Sequence, residues 1–170
     1  MQKAEQEKIF VAWLREHKGL MFKVVRAYAY TAEDRDDLFQ EITVQVWHSI
    51  PQYRGDAAVT TWLYRIALYT ALCWVRREKK HRSGKLPLEG VEHLLTVTAS
   101  AKDSRLEWLY ARIADLAPVD RSLMLLLLEG FSYKEMATIL GISESNVGVK
   151  INRVKARLAS KPAEEFSHGV

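Results

Sequence analysis

The residues of this chain that are best suited to contact a ligand lie near its C-terminal end, where short polar and cationic side chains share one face of a predicted helix. An apolar stripe recurs there at intervals of four, three and four residues and consists of Val147, Ile151, Val154 and Leu158. The opposite face carries hydroxyl, amide, aliphatic and cationic groups. Long cations bind phosphates, and short side chains let a helix approach base edges in the major groove of DNA. The candidate DNA contacts are Ser143, Ser145, Asn146, Val149, Lys150, Asn152, Arg153 and Arg157.

The residues before this helix predict that it is the second helix of a helix-turn-helix. Ala137 is small where two helices cross closely, Gly141 stands at a tight turn where a positive φ costs little, and Ser143 is a natural N-cap. The alternative is a plain helical hairpin whose solvated face happens to be basic.

A second polar face is predicted in the first half of the chain. Asp37, Gln40 and Glu41 are spaced i, i+3 and i+4, so they share one side of a helix. Leu38 and Ile42 occupy another side. A fixed acidic and amide patch on a rigid helix suits the docking of another protein, and an ordinary solvated face is the alternative.

Composition restricts the class of protein. The 170 residues include 25 Lys plus Arg against 21 Asp plus Glu, a formal charge of +4 that favours an anionic partner without requiring one. The single cysteine, Cys73, excludes an internal disulfide framework and a cysteine-based zinc site. The charged N-terminus and the lack of any apolar run near the roughly 20 residues of a membrane span predict a soluble, cytoplasmic protein.

No motif in the sequence predicts an enzyme. It contains neither a phosphate-cradling glycine loop nor a nucleophile motif. Glu78 and His81 form an isolated ExxH pair, whereas a carboxylate metal site needs matching pairs on facing helices. We therefore expect no catalytic residue, no metal, no cofactor and no small-molecule substrate.

Helices must position both polar faces, and scarce proline and glycine, with 4 and 8 residues, predict an all-α chain. In the first half we expect two helices broken near Gly19, a third from the cap Thr31 to about Ile50, and a fourth from about Val59 to Arg82. The four helices expected in the second half are about Arg105–Leu116, Val119–Glu129, Tyr133–Leu140 and Glu144–Leu158.

This pattern predicts two small helical domains joined by a flexible linker, the second being the helix-turn-helix domain. The expected boundaries are 1–82 for the first domain, 83–104 for the linker, 105–161 for the second domain and 162–170 for a tail. Helical periodicity is lost in the linker, which contains Gly84, Pro87 and Gly90. Because the linker has no apolar stripe, we expect the two domains to be structurally independent.

Three segments carry a resemblance to a known family. They are DRDDLFQEITVQVW from Asp34 to Trp47, YRGDAAVTTWLYRIA from Tyr53 to Ala67, and LAPVDRSLMLLLLEGFSYKEMATILGISESNVGVKINRVKARL from Leu116 to Leu158. In order and spacing they resemble extracytoplasmic-function (ECF) sigma factors, the compact promoter-recognition subunits of RNA polymerase in the sigma-70 family. Two domain signatures in the right order are far more specific than a helix-turn-helix or an acidic helix alone.

The resemblance implies a role for each domain. Asp37, Gln40 and Glu41 would bind the clamp helices of the largest subunit of core RNA polymerase. The second domain would read the minus-thirty-five promoter element as duplex through its recognition helix. Core polymerase and promoter DNA are then the expected partners, and a cognate anti-sigma factor is expected as well.

The first domain would also open the minus-ten element and capture a flipped base in the loop from Tyr53 to Ala58. An opened strand presents unstacked bases and phosphates, which aromatic stacking and cations can hold. The candidate contacts to this element are Tyr53, Arg54, Gly55, Asp56, Arg65, Tyr69, Arg76, Arg77 and Lys80. For Trp62 we expect a place in the core, and an ordinary solvated helix end is the alternative for the basic cluster.

The sequence departs from the family at two positions on this helix. Many relatives have asparagine where Tyr69 stands and a polar residue where Cys73 stands, so hydrogen-bonded readout of the upstream element is expected to be altered. Arg65, Tyr69 and Arg76 share one stripe, so Tyr69 either stacks on a base or is buried. The competing interpretation of the chain, a dimeric helix-turn-helix regulator, leaves the whole first domain unexplained.

Overall fold

The computed structural model describes residues 2–83 and 104–160, with no side-chain detail at 81–83 and 104–107, and all the regular secondary structure in these ranges is helical. The elements are α1 (Lys3–Tyr28), α2 (Ala32–Ser49), a short 3-10 turn (Ile50–Gln52), α3 (Val59–Ser83), α4 (Ser104–Ala114), α5 (Pro118–Leu128), α6 (Tyr133–Leu140) and α7 (Glu144–Ala159). The all-α prediction is confirmed. The predicted linker, apart from its two end residues, and the predicted tail lie outside the described residues.

The first three helices pack pairwise into a bundle around one apolar core. The fully buried side chains at its centre include Met21, Val24, Leu38, Ile42 and Leu63. The buried residues of α2 lie on one side of this helix, so its acidic side faces outward. Thr31 caps α2 as predicted, because its Oγ1 accepts a hydrogen bond of 3.0 Å from the backbone N–H of Asp34.

The predicted break near Gly19 is wrong, because α1 continues through it for 26 residues. One glycine inside a helix costs only about 1 kcal/mol relative to alanine. Trp13, Leu20 and Met21 on either side of Gly19 are buried, and their packing outweighs that cost. A weak local signal is overridden here by tertiary contacts.

The helix-turn-helix prediction is confirmed by its turn and caps. Gly141 ends α6 with φ of 67°, in the left-handed region that favours glycine. The Ser143 Oγ accepts a hydrogen bond of 3.2 Å from the backbone N–H of Asn146 and caps α7. Ser132 and Glu135 form a capping box at the start of α6.

The two halves pack against each other in this structure, a contact that the expectation of structural independence did not include. Helix α1 contacts α4 and α5, and α3 contacts α5 and α6. The rings of Tyr64 and Phe131 meet edge to face at 5.3 Å, and Arg121 donates a hydrogen bond of 3.1 Å to the Ala27 carbonyl. The expectation considered only the linker, whereas the contacts are made by helices on both sides of it.

The capping box gives a direct test of α6. Ser132→Ala removes the hydroxyl that accepts from the Glu135 backbone N–H, and we expect it to lower the free energy of unfolding by about 1 kcal/mol. Urea denaturation of both proteins measures the difference. Ser145→Ala, which removes an exposed hydroxyl of α7, is the matched control and should change little. Equal losses in the two variants would contradict the cap assignment.

The same box predicts a pH dependence. Hydrogen bonds from the Ser132 hydroxyl and then from its backbone N–H lower the pKa of Glu135. The ionised carboxylate therefore contributes stability that is complete above its ordinary pKa of 4.5 and is lost as the pH falls through the lower folded-state value. Ser132→Ala should flatten this part of the stability profile. An unchanged slope below pH 4.5 in denaturation experiments would contradict the prediction.

Candidate functional site

The outward face of α7 is open along its length. Of the predicted contacts only Lys150 is half-buried, and the exposed ones are Ser143, Ser145, Asn146, Val149, Asn152, Arg153 and Arg157. Val149 is an aliphatic side chain on an otherwise polar face and is 55% exposed. An aliphatic group here can contact the methyl group of thymine, while amides and arginines contact base edges and phosphates. Ser143 differs from the others, because its Oγ already caps the helix.

Lys150 lies at the edge of this face. Its Nζ is 3.7 Å from the Asp120 carboxylate on α5, and its side chain is 29% exposed. Lys150 therefore has a carboxylate partner within the chain, unlike the exposed Arg153, for which the structure shows no ion pair in the described residues. A phosphate contact by Lys150 would have to replace or share this ion pair.

Helices α6 and α7 approach each other at Gly148, a residue that the sequence analysis did not single out. A Cβ at Gly148 would meet the ring of Tyr133 at 3.6 Å, an ordinary van der Waals contact. Gly148 is thus the point where the Tyr133 ring packs onto the recognition helix. The glycine itself was the available signal, because a glycine inside an otherwise well-formed helix is usually kept there for packing or for function.

The acidic residues of α2 meet cations of α3. Asp37 and Gln40 are exposed, whereas Glu41 is half-buried and accepts a hydrogen bond of 2.5 Å from the guanidinium of Arg77. Together with Trp74 these residues line an open cleft of about 570 Å³ between α2 and α3. The structure therefore brings a predicted polymerase contact, Glu41, against a predicted DNA contact, Arg77.

The loop after α2 is held by an aromatic cluster. The Tyr53 ring packs edge to face on Trp13 at 5.2 Å and tilts against Trp62 at 5.6 Å, and its hydroxyl donates to the Ala57 carbonyl at 2.6 Å. Trp62 donates through Nε1 to the Ser49 hydroxyl at 3.1 Å and packs on the core, which confirms the core prediction. Tyr53 thus anchors the loop to the aromatic rings of Trp13 and Trp62.

The tip of this loop is exposed and contains a residue with left-handed backbone geometry. Gly55 has φ of 81°, which a side chain would strain, and nothing lies within 4 Å of the position of a Cβ there. Arg54 and Asp56 flank it in solvent. The loop therefore presents backbone, a cation and a carboxylate to solvent.

The predicted stripe of α3 faces solvent. Arg65, Arg76 and Lys80 are exposed, and Tyr69 is the most exposed large hydrophobic side chain in the described residues, at 70%. Of the two alternatives for Tyr69, burial is therefore wrong. A phenol ring between two arginines on a helix surface can stack on a base while the guanidinium groups bind phosphates.

Sequence reasoning missed the polar cluster where the halves meet. Arg121 and Ser122 on α5 and Tyr28 on α1 are all buried, and none belongs to a recognisable motif. One signal in the sequence could have indicated this cluster, since Arg121 stands just before the apolar run that starts at Leu123. A cation at that place on a helix must either be buried or interrupt the apolar stripe.

Within residues 2–83 and 104–160, no three His, Cys, Asp or Glu side chains are grouped so that they could hold a metal ion. No helix in these ranges combines the length and the apolar character needed to cross a membrane.

Comparison with known families gives two matches in sequence order. Residues 13–81 match the Sigma-70 region 2 model and residues 106–158 match the Sigma-70 region 4 model. The first match covers α1 from Trp13 to nearly the end of α3, and the second covers α4 to α7.

Individual relatives agree. The chain is 30% identical over 147 residues to the ECF RNA polymerase sigma factor SigM of Mycobacterium tuberculosis, covering 85% of this chain and 72% of SigM. It is 30% identical to the RNA polymerase sigma factor YlaC of Bacillus subtilis, covering 74% of this chain and 76% of YlaC. Its fold matches that of the sigma factor RpoE of Bartonella quintana, whose structure was solved in complex with the anti-sigma factor NepR. The TM-score is 0.68 at 19% sequence identity, and the match covers 90% of this chain and 96% of RpoE.

The contrast between two tyrosines can be tested by stability. Tyr53→Ala removes a ring that packs on Trp13 and Trp62, and we expect a loss of about 2 to 4 kcal/mol in the free energy of unfolding. Tyr69→Ala removes an exposed ring and should stay within about 0.5 kcal/mol of the unaltered protein. Urea denaturation of the two variants measures both values. A loss at Tyr69 as large as that at Tyr53 would mean that its ring is not free.

Proposed function

The chain belongs to the sigma-70 family as an RNA polymerase sigma factor of the ECF type, and from this membership we propose how its surfaces divide the work of promoter-specific transcription initiation. Matches to both region 2 and region 4 carry the assignment. The region 2 match accounts for the half of the chain that a plain helix-turn-helix regulator leaves unexplained. Sigma factors are non-catalytic initiation factors, and we propose the same for this protein.

The outer face of α2 is the proposed contact with core polymerase. Asp37 and Gln40 are exposed on a helix whose other side is fixed in the core, so a partner meets them already in position. Glu41 adds a carboxylate beside the cleft. This preorganisation favours binding because little side-chain order is lost when the helices of the partner dock.

The loop from Tyr53 to Ala58 and the stripe of α3 are the proposed contacts with the minus-ten element. The open tip at Gly55 is suited to a flipped base, because no side chain fills it. Tyr69 would stack on a neighbouring base, and Arg65 and Arg76 would bind the strand's phosphates. Tyr53 acts indirectly in this assignment, by holding the loop from within the aromatic cluster.

The open face of α7 is the proposed reader of the minus-thirty-five element. Ser145, Asn146 and Val149 lie in the N-terminal part of the helix, which enters the major groove in this class of motif. Arg157 lies farther along, beside the DNA backbone, and the long side chain of Arg153 can reach either a guanine edge or a phosphate. Promoter DNA and core polymerase are thus the proposed partners, with a cognate anti-sigma factor as a third, in line with the complex in which the relative RpoE was solved.

The polymerase contact predicts the effect of a double substitution. Asp37→Ala with Glu41→Ala should weaken binding to core polymerase more than tenfold, because the loss of charged contacts at a buried interface costs about 2 to 5 kcal/mol. Affinity measured with immobilised core enzyme gives the ratio.

The matched control for this pair removes two carboxylates elsewhere. Glu5 and Glu7 are exposed near the start of α1, and their replacement by alanine changes the net charge by the same amount. This control should bind core with nearly unaltered affinity. The assignment of the α2 face is contradicted if the Asp37 and Glu41 variant stays folded and also binds as tightly as the unaltered protein.

The recognition helix predicts two different kinds of defect. Asn146→Ala should change which bases are preferred in the minus-thirty-five element, with each mismatch worth about 1 to 3 kcal/mol. Lys150→Ala should weaken binding to all sequences similarly and reduce the salt slope by about 1, because a phosphate contact carries no sequence information. Selection from randomised elements at two salt concentrations separates the two effects.

Lys8→Ala on α1 is the control for this experiment, since it removes an exposed cation outside both DNA faces. It should leave both the selected sequence and the affinity unchanged. A change of selected sequence in Lys150→Ala, together with a uniform loss in Asn146→Ala, would show that α7 lies in the groove differently.

A further inference from the structure

A carboxylate on α5 faces a cation of the recognition helix. The Oδ1 of Asp120 lies 3.7 Å from the Nζ of Lys150, and the two side chains retain exposures of 20% and 29%. Helices α5 and α7 pack directly on each other, so the pair lies entirely within the second half of the chain. Asp120 belongs to none of the proposed contacts with DNA or with core polymerase.

The backbone on both sides of this pair is fixed by buried neighbours. Val147 and Ile151, on the same side of α7 as the stem of Lys150, are fully buried. Arg121, the residue after Asp120, is buried as well. Because the aspartate side chain is short and its backbone is fixed, the carboxylate has few other positions to occupy. The pair is thus held more firmly than an ion pair between two long, fully exposed side chains.

Asp120 also compensates the positive end of a helix dipole. It lies in the first turn of α5, and the N-cap residue of this helix, Ala117, makes no side-chain hydrogen bond to it. The N–H groups at the start of a helix carry partial positive charge, which attracts phosphates as well as carboxylates. The carboxylate of Asp120 therefore offsets two positive groups, the start of α5 and the ammonium of Lys150. Without it, both would be available to another anion.

Lys150 lies on the flank of α7 that faces α5, beside the proposed base contacts. Around the helix axis it is about 40° from Asn146 and about 60° from Arg153. Its ammonium must leave Asp120 to meet a phosphate of DNA that lies against the open face. A phosphate that approached the intact pair would instead meet the Asp120 carboxylate, and like charges repel. In both cases the carboxylate makes a phosphate contact by Lys150 less favourable, whatever the base sequence.

We propose that Asp120 is a positioning residue that restrains Lys150 and thereby lowers the affinity of the recognition helix for DNA of every sequence. The inference rests on the proposed function of α7 as the reader of the minus-thirty-five element. Base contacts such as that of Asn146 do not involve the ion pair and keep their preference. Weaker sequence-independent binding leaves fewer molecules on the many competing sites outside promoters. Asp120 thus sets the strength of DNA binding, whereas the base contacts set its selectivity.

The restraint is tested with the 170-residue chain and two fluorescent duplexes, one carrying the selected minus-thirty-five element and one of random sequence. Asp120→Asn removes the charge and keeps the shape of the side chain. It should raise the affinity for both duplexes about threefold, a factor typical of a partly exposed ion pair. In a Lys150→Ala background the same change should alter the affinity less than about 1.5-fold, because no ammonium is left to release. Fluorescence anisotropy at low salt measures all four affinities.

Two further variants complete the experiment. Asp120→Ser is a second neutral replacement and should give the same gain, with urea denaturation confirming that both neutral variants are folded. Glu144→Gln is the matched control, since Glu144 is an exposed carboxylate in the first turn of α7 and its loss changes the net charge by the same amount. Its effect on affinity should be equal with and without Lys150, which separates release of the ammonium from a general gain of positive charge.

The possible results separate this inference from the proposed function. No gain in the neutral variants, or an equal gain with and without Lys150, overturns the inference. A gain confined to the selected element overturns it as well, because a phosphate contact carries no sequence information. If Lys150→Ala alone leaves the affinity for DNA unchanged, the proposed contact of α7 with DNA is refuted, and the inference falls with it.

Discussion

The buried guanidinium of Arg121 on α5 connects the two halves of this molecule. Arg121 has no carboxylate partner among its hydrogen bonds in the described residues and is held by backbone carbonyls at the ends of α1 and α4. A charge out of water is tolerated only where such dipoles surround it. Arg121 therefore helps to set the position of α5 against α1, and the packing of α6 on α3 further orients the helix-turn-helix relative to the first bundle. The same guanidinium also donates hydrogen bonds to the Ala114 and Leu116 carbonyls at the end of α4. Arg121 therefore stabilises the second half internally as well as its contact with the first half.

The aromatic residues show how similar side chains acquire different tasks. Tyr53 and Trp62 are locked into a cluster with Trp13, where ring contacts and hydrogen bonds to Ala57 and Ser49 define the shape of the loop. Tyr69, on the same helix as Trp62, turns its ring into solvent between arginines. A ring that is already packed and bonded can only support a site, whereas an exposed ring on a rigid helix is free to stack on a ligand. The proposed minus-ten surface thus consists of a supporting layer and a contacting layer.

Two of the cations assigned to DNA already have partners within the chain. Arg77 pairs with Glu41, and Lys150 with Asp120. Because both pairs are partly exposed, each is weak and can be exchanged for a phosphate at little cost. The Arg77–Glu41 pair nevertheless joins the α2 face proposed for core polymerase to the α3 face proposed for DNA. A partner that engaged Glu41 on α2 would leave the Arg77 guanidinium available on α3, so the proposed contacts with core polymerase and with DNA meet in one cleft.

The sequence by itself determined the features that depend on local periodicity and on short-range chemistry. The stripe that buries Val147, Ile151 and Val154 and the caps at Thr31, Ser132 and Ser143 are encoded within a few residues, because helix faces and caps are set by neighbours three or four positions away. Of the two segments proposed to bind the promoter, the recognition helix could be identified from this periodicity, whereas the loop from Tyr53 to Ala58 was identified only through the resemblance to the ECF family. Only the tertiary structure decided that α1 runs unbroken through Gly19, that Tyr53 is a support and Tyr69 a free ring, and that Arg121 and Tyr28 join the halves. These outcomes depend on contacts such as the hydrogen bond between Arg121 and Ala27, which are 94 positions apart in the sequence. Packing between such distant residues decides which side chains are buried, and no local pattern records it.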